Sequence, residues 1–181
     1  MKKLLSASVL SFVGVLASGC APTVVPANWQ GHWAQEDKEQ ITVAPNGQST
    51  TTYVPSNTKF ILVKDDGLVT GISVENGVWN EAPIAQVDVE EGGDAKPVRF
   101  FPEGLPEEVR DFASHAHATA SRDGATGRLV MRIDIAELKN RPEVRAKYGS
   151  QLDRMGDEIL MGFQKLSDEN AARVSRHETV Q

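Results

Sequence analysis

The sequence predicts a mainly β protein: a small antiparallel meander closing into a barrel, with a sandwich as the alternative and one or two short helices covering it. Three observations carry that expectation. Turn signals recur at short intervals after Trp29, and the stretches between them are short and rich in β-branched residues. One of those stretches alternates almost strictly between apolar and polar side chains. A repeat of 20 to 50 residues, a heptad seam and long low-complexity runs are all missing from the sequence, which argues against arrays and coiled coils.

The first element is a leader. Lys2 and Lys3 precede an apolar stretch over residues 4–16, and small residues follow up to Cys20. That stretch is shorter than the roughly 20 residues a helix needs to cross a bilayer, so attachment has to come from elsewhere. Leu16-Ala17-Ser18-Gly19-Cys20 resembles the lipobox of bacterial lipoproteins, with Ala17 in the place more commonly held by Leu. The resemblance implies that the Cys20 sulfur takes a diacylglycerol, that the chain is cut just before Cys20 and that the new amine is acylated. With Ala21 rather than Asp after the cysteine, it also implies sorting to the periplasmic face of the outer membrane. Three acyl chains, at about 0.8 kcal/mol per buried methylene, hold a protein where one chain gives only marginal binding.

Composition narrows the rest. Cys20 is the one cysteine, so an intrachain disulfide, a thiolate zinc site, an iron–sulfur cluster and a Cys-x-x-Cys redox pair are excluded. The net charge of −6 argues against nucleic acid as a partner, because such binding needs clustered Lys and Arg. Removal of residues 1–19, which contain Lys2 and Lys3 and no acid, leaves 17 basic against 25 acidic residues. Membrane contact is then expected through lipid rather than through a basic face.

The expected organisation is a signal peptide over residues 1–19, a lipidated cysteine and extended tether over 20–28, a β-rich domain over 29–166 and a polar tail over 167–181. The tether carries Pro22 and Pro26 and no charge. Strands are expected at 41–43, 50–54, 59–63, 68–74, 84–89 and 98–101, separated by Gly- and Asn-containing turns. The clearest strand is 128–135, where Leu129, Met131, Ile133 and Ile135 share one face and Arg128, Arg132 and Asp134 the other.

Two segments read as helices. Pro106-Glu107-Glu108 is a good first turn, followed by an apolar stripe of Val109, Phe112 and Ala113, and a second helix runs from Pro142 until Gly149 stops it. Residues 157–166 fit either period. Gly156 and Gly162 favour a strand there, since each would cost a helix interior about 1 kcal/mol relative to Ala. The tail is expected to be frayed or briefly helical.

Gly31-His32-Trp33, ahead of the first strand, resembles the Gly-x-Trp start of lipocalin-like barrels. The resemblance implies a Trp packed across the barrel floor and, for a carrier, an apolar cavity of about 300 Å³ or more. Trp29 and Trp33 equally suit a core.

Candidate chemistry is sparse. His115 and His117 are two apart, so on a strand both rings would leave one face as two ligands of zinc or copper, though no third ligand is evident. Paired acids at Asp65-Asp66, Glu90-Glu91 and Glu107-Glu108 read as turn and helix-start residues rather than as carboxylates facing across a cleft. No nucleophile elbow, zinc-protease motif, phosphate loop or dinucleotide fingerprint is present in the sequence. Lys139, Arg141, Arg145 and Lys147 form a modest basic patch interrupted by Glu143, which could meet an anionic glycan or an acidic partner. The function expected is therefore a non-enzymatic binding or assembly module of the cell envelope, without a cofactor, whose partner is an envelope protein or glycan. The alternatives are a lipocalin-like carrier of a small apolar ligand and a metal-dependent hydrolase at His115 and His117.

Overall fold

The structure, a computed structural model, describes residues 24–43, 47–89, 93–107, 110, 113–154 and 156–180. Eight strands follow one another around a closed antiparallel barrel: β1 Gly31–Val43, β2 Ser49–Val63, β3 Leu68–Glu75, β4 Val78–Val87, β5 Ala95–Phe100, β6 His117–Arg122, β7 Leu129–Asp134 and β8 Glu158–Lys165. Closure comes from β8 returning to β1 through the pairs Trp33–Lys165, Ala34–Gln164 and Gln35–Phe163. The barrel is formed and the sandwich is not.

Local chemistry sets the turns. Asn76 and Gly77, at φ of 52° and 79°, make the two-residue β3–β4 connection whose twist matches the strands it joins. At the β2–β3 turn the Asp66 carboxylate accepts from the Leu68 N–H at 2.9 Å, and at the β6–β7 turn Asp123 accepts from the N–H groups of Ala125 and Thr126 at 2.9 and 3.3 Å. These bonds hold the exposed Asp123 carboxyl below the ordinary carboxylate range, the Thr126 side chain being the largest influence.

The barrel has two ends. At the lower end lie the start of β1 and the β2–β3, β4–β5 and β6–β7 connections; at the upper end lie the β3–β4 turn and the longer β5–β6 and β7–β8 connections. Between them Trp33, Ile61, Val63, Val69, Met131 and Phe163 are buried in one apolar core. Val25 and Trp29 extend that core at the lower end. Above it, helices α1 Ala136–Lys139 and α2 Pro142–Leu152 add Leu138, Val144 and Leu152. On β7, Leu129, Met131 and Ile133 are buried while Arg132 and Asp134 are exposed, as the alternation predicts.

Helix α3, Asp168–Ser175, lies outside the barrel. Its Val174 is fully buried against Ala34, Phe60 and Ile72, so of the two expected forms the tail takes the briefly helical one and packs on the barrel. Ser167 caps its start by accepting from the Asn170 N–H at 3.3 Å, and Asp168 and Glu169 complement the first turn. The helix ends on His177 at φ 58°, with the Glu178 N–H returning to the Arg173 carbonyl and the His177 N–H to Val174. That closing geometry normally takes Gly. Here the imidazole stacks on Trp79 at 5.3 Å and its Nε2 lies 2.9 Å from Glu81 Oε1, contacts a glycine would lack.

Several boundaries differ from expectation. Val25 is 1% exposed and its N–H donates to the Asp65 carbonyl, so the folded domain begins at 25 rather than 29. The strands expected at 50–54 and 59–63 are one strand, with Pro55 tolerated at an irregularity opposite Glu36. Strand β6 was not foreseen. Helix α2 passes through Gly149 because burying Leu152 carries it a further turn. Glu107, Arg110 and Ala113 are helical, while Glu108, Val109 and Phe112 lie outside the described residues.

Candidate functional site

Cys20 lies outside the described residues. His115 sits in the turn that precedes β6, whereas His117 opens the strand, so the two do not share the strand face that a bidentate pair needs. His117 is exposed, with Nε2 3.8 Å from Glu137 Oε2. Among the described residues no group of three or more His, Cys, Asp or Glu side chains is gathered as metal ligands. Asp65 accepts from the Asp66 N–H at 2.9 Å, so this acid pair builds its turn. Glu90 and Glu91 lie outside the described residues.

The basic patch is partly compensated internally. Lys139 Nζ lies 2.9 Å from Asp157 Oδ1, and Arg145 lies 3.0 Å from Asp153 while also donating to the Lys139 carbonyl. Two of the four cations, Lys139 and Arg145, thus face acids from the segment leading into β8. A surface so neutralised attracts an anionic glycan weakly.

The lower part of the barrel interior is closely packed. Eight strands enclose a space just wide enough for side chains, and Trp33, Phe163, Val63 and Val69 are at most 2% exposed. A hollow able to hold a ligand would leave the inward side chains with accessible surface, which these lack. Trp33 anchors the lower end: its indole Nε1 donates to the Trp29 carbonyl at 2.8 Å, and Lys165 Nζ stands 4.7 Å over its ring. Burial holds the Lys165 ammonium below the ordinary lysine pKa, nearby Arg122 adds to that, and Asp168 opposes it.

The concavities lie elsewhere. A groove of about 560 Å³ runs along β5, β6 and β7, and its apolar lining of Val98, Phe100, Ala116 and Ala118 belongs to the core cluster beneath it. Its polar side presents Arg99, His117, Thr119, Asp134 and the Arg132–Glu158 ion pair at 2.5 Å. A second of about 440 Å³ adjoins it, between residues 86–89 and 97–99. Charges of both signs beside an apolar strip suit contact with another polypeptide. At the groove's edge the Ser114 hydroxyl donates to the Arg110 carbonyl at 2.9 Å rather than to a base. This groove is hard to read from local pattern, because β6 is built largely of Ala, Thr and Ser rather than of large β-formers.

A polar cluster joins the β1–β2 hairpin to the wall. Two register shifts flank Glu36, and its carboxylate, 4% exposed, is held by a two-point ion pair with Arg128. Gln164 Nε2 reaches the Tyr53 carbonyl at 2.9 Å, and the Arg128 guanidinium lies 3.8 Å over the Tyr53 ring. Burial alone would lower the Arg128 pKa, but the hydrogen bonds and charge of Glu36 outweigh it and raise it. This cluster fixes architecture.

No known protein family's sequence pattern matches the chain, and no curated protein matches it.

Proposed function

We propose that this chain is a lipoprotein of the bacterial cell envelope, anchored through Cys20 at the periplasmic face of the outer membrane, and that its barrel is a binding or assembly module rather than a carrier or an enzyme. The observation that carries the reading is the close packing around Trp33: Trp33, Phe163, Val63 and Val69 are at most 2% exposed, which leaves little room for an apolar ligand beside them. The groove along β5 to β7 supports it, since both charge signs beside an apolar strip suit a protein partner. The lipobox-like 16–20 segment supports the anchor, and the Ser114 hydroxyl at the groove is engaged with the Arg110 carbonyl rather than with a base.

Two measurements test this reading. Membranes from cells making the wild-type chain retain it through high-salt and carbonate washes, whereas the Cys20→Ser variant is released; retention of that variant would refute lipid anchoring. A photo-reactive group at Thr119, in the groove, gives discrete adducts in intact cells that Arg99→Glu with Arg132→Glu abolishes. Adducts unaffected by the charge reversals, or none at all, would refute the groove as the partner face.

A further inference from the structure

From the way the chain enters the fold, we infer that the lower end of the barrel faces the lipid bilayer and the upper end faces away from it; this rests on the anchoring at Cys20 proposed above. Val25 is the first residue fixed to the barrel, by its buried side chain and by its N–H donating to the Asp65 carbonyl at 2.8 Å. Gln30 Nε2 donates to the Val25 carbonyl at 2.9 Å, and Trp29 is buried below Trp33. Residues 25–30 are therefore part of the lower end.

Five peptide steps separate Cys20 from Val25. Fully extended they span at most about 18 Å. Strand β3 alone, with eight residues, is about 26 Å long at 3.3 Å per residue. The tether thus holds the β2–β3 turn close to the headgroups while it is too short to bring the β3–β4 turn there upright. Charge sets how the end meets the surface. Asp65 and Asp66 in one turn, Asp123 in another, and Asp88 and Asp94 beside the β4–β5 connection put carboxylates at that end, where Lys64, Lys96, Arg122 and Lys165 also lie by topology. Charges of both signs at that end favour contact with the polar headgroup layer over burial in the hydrocarbon. The upper end, with α1, α2 and exposed Val78, is then free to meet a partner.

The test uses the mature lipoprotein reconstituted into phosphatidylcholine vesicles containing a headgroup-nitroxide lipid. Single thiols are introduced by Gly124→Cys at the lower end, and by Val78→Cys and Ala146→Cys at the upper end, all exposed positions. A thioether at Cys20 does not react with maleimide, so each variant takes one fluorophore. Quenching severalfold stronger at 124 than at 78 and 146 is expected. Equal quenching at the three positions, or stronger quenching at 78 or 146, would overturn the orientation while leaving the anchor intact. Two fluorophores per chain would show a free Cys20 and overturn the anchor itself.

Discussion

Gly162 sits in β8 at the place where the Glu36 carboxylate and the Arg128 guanidinium cross the outer wall, and a Cβ there would collide with both. The absence of a side chain lets a nearly buried ion pair form on the surface of a strand. Gly162→Ala is expected to cost about 1–3 kcal/mol by forcing the pair apart, and Glu36→Ala about 3 kcal/mol by stranding Arg128, both read from urea unfolding midpoints. His32 has a different consequence. Burial holds its pKa below the ordinary 6.5, Glu81 works against that and Lys165 with it. The folded form therefore resists protonation more than the unfolded chain does. Above pH 6.5 both forms are neutral there; as pH falls below 6.5 the unfolded state gains the proton first, and stability is lost. The thermal midpoint is expected to drop between pH 7.5 and pH 5.5 by less in His32→Gln than in wild type. An unchanged slope in that variant would assign the loss to other groups.

Helix α3 turns a sequence that reads as polar tail into a covering for the outer face of β1, β2 and β3. Its single buried side chain, Val174, fills the space over Ala34, Phe60 and Ile72, and the stacked Trp79 and His177 rings close the far end. Val174→Ala is expected to lower stability by roughly 2 kcal/mol in equilibrium unfolding, and a change below a few tenths would show that the helix is dispensable. Legibility at this scale followed the strength of local pattern. Strand β7 was plain because large apolar residues alternate with charges, and β8 because Gly162 spoils a helix. Strand β6 was hidden, since Ala118 and Ala120 face inward but Ala carries no strand preference. The end of α2 and the docking of α3 depend on Leu152 and Val174 meeting residues distant in sequence, which no local period reports. The groove was hidden with β6.

At the scale of the whole molecule, barrel closure and core packing are one event: eight tilted strands leave room for one core, and Trp33, Phe163 and Met131 occupy it. The Gly-x-Trp resemblance carries the expectation of a ligand cavity, and the close packing around Trp33 is the physical argument against one. An environment-sensitive apolar dye titrated against the folded domain is therefore expected to show no saturable, stoichiometric binding. One-to-one binding at micromolar concentration, lost on substituting an inward residue such as Val98→Trp, would favour a carrier instead. The account as a whole depends on what happens at the single sulfur, because the proposed place in the envelope rests on an anchor at Cys20. Intact mass spectrometry of the protein extracted from membranes measures this directly. The account predicts a chain beginning at Cys20 and heavier than its sequence by a diacylglycerol and an acyl group; a chain retaining residues 1–19, or one with an unmodified thiol, would contradict it.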